Sequence, residues 1–422
     1  MTSVHPGLRI LGVSSRLKTL LVLLGFVLGA GILFDGSGDG AHGSQRVAAD
    51  ATPSTTSPAA PSGYAWPPTT TTWTTVPPPR SFDVVATGDV LLHSPLWEQA
   101  SADAAAQGQP GYDFAPMLAG VEPLVSQADV AICHLETPLA PPGGPYSSYP
   151  SFSVPAEIAP ALAEVGYDAC TTASNHIYDQ GAAGIDRTLD GLDAAGIRHA
   201  GAARNPDEAA AITMLDVSGA KVALLSYTYG FNGIPAPDGQ TWRSNPIDEA
   251  AILGEASTAR QRGADIVILA LHWGDEYRHE PNAQQSHLAS RLIRSPDIDL
   301  VLGHHAHVVQ PVEMIDGEWV VYGMGNQIAH QASLGAASAE GLLVRFTFTE
   351  EAGGWTVTAG EFAPLLMEQT RSPMRLLDVG AMLGDPSVDA ALQQRLREAW
   401  DRTTGIVHQR GAGRAGLTPI QR

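Results

Sequence analysis

From Phe82 to Gly303, short apolar runs alternate with stretches of helical periodicity. The runs Phe82–Ala86, Asp129–Cys133, Tyr167–Thr172, Ile197–Ala200, Met214–Val217, Val222–Tyr227, Ile266–Leu271 and Ile298–Leu302 predict strands. Apolar positions at helical spacing predict helices over Phe114–Gln127, Pro155–Val165, Gly184–Ala194, Ile247–Gln261 and Ala283–Ile293. In Gly184–Ala194, Ile185, Leu189 and Leu192 share one face. Near-continuous apolar strands alternating with helices predict an α/β domain whose sheet is covered on both faces. Beyond Val308 the pattern changes. Val308–Ile315, Trp319–Met324, Leu342–Thr349 and Trp355–Gly360 read as strands with no helices between them. They predict a second, largely antiparallel sheet, closed by a helix over Asp389–Trp400.

The chain ends break this pattern. Arg9, Arg16 and Lys18 precede an uncharged run from Thr19 to Phe34, with Asp35 and Asp39 following. Residues 1–34 therefore read as a signal anchor with a cytoplasmic N-terminus and an exported remainder. The run is only just long enough to span. Cleavage as a signal peptide, at the weak Ala41-His42-Gly43 site, is the alternative. Residues 35–80 are rich in Gly, Ser, Thr and Pro and carry too little apolar surface to offset chain entropy, so they read as a linker. Residues 81–402 form the folded domain, and the Gly- and Arg-containing stretch 403–422 reads as a disordered tail.

Composition narrows the function. The chain has 422 residues and a formal net charge of −20, which excludes a basic nucleic-acid-binding face. Its two cysteines, Cys133 and Cys170, exclude a disulfide scaffold and a four-cysteine zinc site. Each lies in a predicted strand just before a candidate ligand motif. In an exported chain they could pair; otherwise they are two small buried apolar residues. No nucleophile elbow, P-loop or dinucleotide fingerprint is present.

The chemistry gathers at strand ends. Gly303-His304-His305-Ala306-His307 follows the apolar run Ile298–Leu302, and three imidazoles in four positions are not core composition. Asp89, His134 with Glu136, Asn175 with His176, and His272 also stand just beyond predicted strands, where open α/β sheets place ligand sites. Carboxylates, an amide oxygen and imidazoles together suit manganese, zinc or ferrous iron. More donors converge than one ion needs, so the set predicts two divalent ions.

The ordered motifs Gly88-Asp89, Leu135-Glu136-Thr137-Pro138-Leu139, Asn175-His176 with Asp179 and Gly181, His272-Trp273-Gly274 with Glu276-Tyr277, Gly303–His307, and Gly325-Asn326 resemble the CapA (poly-γ-glutamate capsule biosynthesis) family. That family is related to calcineurin-like metallophosphoesterases. The resemblance covers about Phe82–Leu366. It implies a four-layer α/β/β/α sandwich of metallophosphoesterase type on an extracytoplasmic, N-terminally anchored domain. By that resemblance Asp89 and His307 hold one metal, Asn175, His272 and His305 the other, and Glu136 bridges. His176 is the general acid or stabilises the leaving oxygen. The implied chemistry is attack of metal-activated water on a phosphoryl or carbonyl centre.

Three positions depart from the family pattern. Leu91 stands where the phosphoesterase motif has histidine, and His93 is a candidate substitute. His134 replaces an asparagine and, with His304, could add a ligand. Gln327 replaces an aromatic residue. Glu276, Arg278 and Asn326 are candidate substrate contacts. Tyr227, Tyr229 and Phe231 read as core, with a place in the pocket wall as the alternative, and His287 and His330 as surface or satisfied histidines. The expected function is a membrane-anchored hydrolase acting on a surface polymer, with other capsule-synthesis membrane proteins as candidate partners. A non-catalytic polymer-export subunit and a phosphoesterase for small exported phosphate esters are the alternatives.

Overall fold

Fifteen strands follow one another through the chain of the computed structural model, which describes residues 79–422. They are β1 Ser81–Val90, β2 Val130–Leu135, β3 Ala169–Thr171, β4 Arg198–Ala200, β5 Thr213–Val217, β6 Ala220–Thr228, β7 Ile266–His272, β8 Leu300–His304, β9 Val312–Ile315, β10 Glu318–Val321, β11 Asn326–Ile328, β12 Glu340–Glu351, β13 Gly354–Glu368, β14 Arg375–Asp378 and β15 Leu417–Pro419. The segment 1–34 and all but the end of the linker lie outside the described residues. Among the described residues no helix is long and apolar enough to cross a membrane.

The strands form two sheets. One runs β14-β13-β12-β1-β2-β3-β4, with β11 beside β1 and β15 beside β13. The other runs β5-β6-β7-β8-β10-β9. Three apolar layers explain why both sheets need two-sided burial. Phe82, Val84, Ile132, Leu224, Ile268, Leu302 and Phe346 meet between the sheets. Cys133, Leu135 and Leu365 face outward against helices Ser94–Ala106 and Ile158–Val165. Val267, Leu269 and Leu271 face helices Glu249–Gln261 and Ala283–Leu292. The architecture is the expected α/β/β/α sandwich. In β7 alternate residues reach opposite layers, so all seven are buried and the run is continuously apolar.

Three expectations need correction. The strands after Val308 do not make a separate antiparallel sheet. β10 runs parallel to β8 in the second sheet, while β12 to β14 return to the first, β12 antiparallel to β1. Local pattern shows that helices are missing, not which sheet edge a strand joins. The stretch 403–422 is ordered: the last helix continues from Ala390 to Val407, and Leu417 is buried with β15 parallel to β13. Its apolar residues are too sparse to show periodicity. Phe114–Gln127 is two short helices, Ala115–Leu118 and Glu122–Val125, each with proline in its first turn.

The two cysteines form a disulfide across neighbouring strands, at paired positions of β2 and β3. Both side chains lie in the helix-facing layer, so the bond ties the two strands together directly below His134.

Candidate metal centre

Parallel strands set the site. Asp89 of β1 stands level with His134 of β2 and Asn326 of β11, and His272 of β7 with His304 of β8. His134 and Glu136, two residues apart, share the face that Leu135 does not. Two glycines permit the close approach of chains here. A Cβ on Gly88 would lie 2.0 Å from the Gly325 carbonyl oxygen, and one on Gly303 would lie 1.9 Å from that of Tyr322. Past β8, His305 (φ 83°) and His307 (φ 54°) take left-handed backbone, which is costly for non-glycine residues. That turn aims both rings back at the strand ends.

Two groups of donors result. Atoms of Asp89, His134, Glu136 and His272 all lie within 4.8 Å of one another, and so do atoms of Glu276, His305 and His307. Asn175 joins the first group through its Oδ1, 2.9 Å from His272 Nε2.

Hydrogen bonds fix which nitrogen of each ring carries its proton. The Thr171 hydroxyl donates to the Cys133 carbonyl, so it accepts from His134 Nδ1 at 2.8 Å. His134 Nε2 therefore accepts from His272 Nδ1 at 2.9 Å. Burial holds both rings well below the usual imidazole range, so both are neutral. His272 Nε2 is left with a bare lone pair facing Asn175 Oδ1, because the Asn175 amide nitrogen donates to Asn232. Two acceptors at that distance repel unless a cation lies beside both. Neighbouring ligands held at about 2.1 Å from one ion sit about 3 Å apart. Likewise Asn326 Nδ2 donates to the carbonyls of His307 and Ser338 and to Gln331 Oε1. Its Oδ1 must then accept from His307 Nδ1, which Asp89 also approaches at 3.2 Å.

Glu136 is the exception. It is fully buried, and neither carboxylate oxygen has a hydrogen-bond partner. Its Oε1 lies 3.8 Å from His307 Nε2 and 3.9 Å from His272 Nε2. Burial pushes its carboxyl up to about 7, against the pull of His307. Despite burial, Glu136 and Asp89 push His307 up to about 9. His305 Nδ1 is also unpartnered, and burial beside His307 pushes that ring down to about 3. Asp89 stays well below the usual carboxylate range: burial opposes its charge, but bonds from His304 and His307 outweigh it. An orphaned carboxylate between the bare His272 Nε2 and His307 Nε2, whose proton an ion would displace, is a pattern that divalent ions complete, so the residues present fit the expected metals.

The remaining candidates separate. His304 donates to Asp89 at 3.0 Å and stacks on His134 at 4.0 Å, so it braces the floor and joins neither donor group. His176 is buried at the wall of a cavity of about 730 Å³ above the centre. Its Nδ1–H donates to Asp179 at 2.8 Å, and the Phe152 ring meets it edge-on at 4.7 Å. His93 and Glu276 line this cavity too, with His93 outside both donor groups. Two expected substrate contacts are corrected. Asn326 is fully buried and spends its amide orienting His307. Arg278 is exposed outside the cavity lining. Tyr227 and Phe231 pack into apolar clusters, whereas Tyr229 is exposed and lies over His305 at 4.4 Å. His330 lines the cavity rather than the surface at large. Sequence reading missed Tyr149, Phe152, Asn232 and Gln331. None sits at a strand end, and Tyr149 and Phe152 lie in a Pro/Ser-rich loop that gives no periodic signal.

A family model described as bacterial capsule synthesis protein PGA_cap matches residues 83–331, more than half of the chain. The chain belongs to this family. Asp89, Glu136, Asn175, His272, His305 and His307 all fall inside the matched span. Among similar capsule proteins, the capsule biosynthesis protein CapA of Bacillus anthracis is 30% identical over 42% of this chain and 43% of its own length. A probable polyglutamine synthesis accessory protein of Mycobacterium tuberculosis is 26% identical over 58% of this chain and 67% of its own. The chain thus spans less than half of the Bacillus relative. The calcineurin-like phosphoesterase YfkN of Bacillus subtilis aligns over 79% of this chain and 100% of its own at 15% identity, with a TM-score of 0.43.

Proposed function

We propose that this capsule-synthesis family member is a membrane-anchored, extracytoplasmic hydrolase that holds two divalent ions and acts on a surface polymer or its precursor. The observation that carries the reading is Glu136, buried without a partner between His272 and His307. Asp89 and His307 would hold one ion and Asn175, His272 and His305 the other, with Glu136 shared. The placement of Glu276 beside His305 and His307 makes it a further donor, whereas His134, with both ring nitrogens engaged by Thr171 and His272, orients His272 instead. Bound ions supply Lewis-acid polarisation and bring a water's pKa toward about 7. The chain's own groups do the rest. Asp179 holds the Nδ1 proton of His176 and leaves Nε2 for proton transfer to a leaving oxygen. Phe152 keeps that ring in plane, and the buried floor keeps bulk water from the donors.

Export is supported by the positive-then-apolar N-terminus and by the disulfide, which persists in oxidising compartments. Capsule-synthesis membrane proteins are the proposed partners. Manganese, zinc or iron should co-purify with the full-length protein, and that protein should hydrolyse bis(p-nitrophenyl) phosphate. Bound metal without hydrolysis would instead favour a polymer-guiding subunit with a structural centre.

A further inference from the structure

Resting on the hydrolase reading, we propose that the cleft selects monoanionic phosphodiesters with a ring beside the phosphate and rejects dianionic phosphomonoesters. Charge is the first argument. Among the described residues no lysine or arginine lines the cavity, while Glu276 and Asp179 do. Bound ions would meet the reacting phosphate in either substrate class. A second negative charge lying beyond them would find no basic partner and would face Glu276.

The rim is the second argument. Four large apolar side chains stand out as exposed among the described residues: Tyr149 (75%), Leu334 (51%), Tyr229 (45%) and Tyr277 (37%). Tyr149, Leu334 and Tyr277 line this one cavity, and the Tyr229 ring lies tilted against His305, 4.4 Å away. Exposed apolar groups gathered at a single cleft mark a binding surface. Tyrosines in particular offer flat faces to rings. Tyr277 is also held in place at a conformational cost. Its φ is 59°, its N–H donates to the Ala306 carbonyl at 2.8 Å, and its hydroxyl accepts from Gln331 at 3.2 Å. Such strain persists where the surroundings over-determine a residue, as at ligand sites.

The reaction balances. Water adds to phosphorus, one P–O bond breaks, and the released alcohol leaves with the proton from His176 Nε2. A phosphomonoester dianion remains, one of the water's two protons restores His176, and the other passes to solvent. The product carries the extra charge that the cleft disfavours, which favours its release.

Binding and turnover both test this. Full-length protein in chelator is examined by saturation-transfer NMR with diphenyl phosphate and with phenyl phosphate. Ring-proton transfer should be strong for the diester, weak for the monoester, and reduced for the diester in Tyr149→Ala. The metal-loaded protein should then show a KM for bis(p-nitrophenyl) phosphate at least about tenfold below that for p-nitrophenyl phosphate. Tyr149→Ala should raise the first KM by a factor of about 2–10, the worth of one stacked ring. It should raise the KM of methyl p-nitrophenyl phosphate, whose second ester group carries no ring, by a smaller factor. A monoester preference, or equal KM values for the two diesters, overturns the proposal while leaving the hydrolase reading intact. No hydrolysis of any of the three esters by the metal-loaded protein overturns both.

Discussion

Within a few ångströms of each other, the site contains side chains that are held and side chains that are left bare. Asp89, His134, His272, His304, His307 and Asn326 each have hydrogen-bond partners that fix ring orientation and proton position. Glu136, by contrast, has no partner on either oxygen, and His305 has none at Nδ1. An unpaired buried polar group costs about 1–3 kcal/mol, more for a charged one. The held set orients its lone pairs toward the bare set, and so the comparison locates where positive charge is missing.

The sharpest way to break that comparison is to remove its bare member. Glu136→Ala should abolish binding of at least one ion per chain and bring hydrolysis to background, checked by elemental analysis and turnover of bis(p-nitrophenyl) phosphate. Removing a holding residue should cost less. His134→Leu severs the relay from Thr171 to His272, and metal affinity should fall by about 10–100-fold, as for other outer ligand-orienting groups, with the fold retained. Isothermal titration with manganese and circular dichroism check both halves.

Next in size is the disulfide under His134. It closes a loop of 37 residues in sequence separation, so Cys133→Ser with Cys170→Ser should cost about 3–4 kcal/mol of stability, measured by urea denaturation. Asn326→Leu should follow, at about 1–3 kcal/mol, because it strands the carbonyls of His307 and Ser338. It should also lower metal affinity, since His307 Nδ1 loses its acceptor.

The smallest effect lies far from the site and serves as a control. Burial and Asp299 push the half-buried Glu318 up to about 7, against Arg260. With its folded pKa above the ordinary 4.5, the folded state binds the proton more tightly than the unfolded chain. Its stability contribution is full below about 4.5 and is lost as pH rises through about 7. Glu318→Gln should therefore raise Tm by a degree or two relative to wild type at pH 8, show no gain at pH 4, and leave metal binding unmoved.

Much of the site could be read from the chain because its donors stand at strand ends, and strands announce themselves as apolar runs. Asp89, Glu136, His272 and the histidines after Leu302 all carry that signal. Asn326 carried it too, but its role was misplaced. Nothing local shows that β11 lies beside β1 and turns the amide inward. The rim was least visible. Tyr149 and Phe152 reach the cavity on an irregular loop, and only tertiary contact brings them over His176. For the fold, layer count followed from two-sided apolar strands, whereas the return of β12 to β14 to the first sheet depends on long-range pairing with β1.

The direct test of the central claim is the metal content of purified wild-type protein beside that of Glu136→Ala, with folding of both checked by circular dichroism. The account predicts two divalent transition ions per wild-type chain and at most one in the variant. A fully folded wild-type protein that carries no metal and takes up no manganese, zinc or iron at micromolar concentration would contradict it.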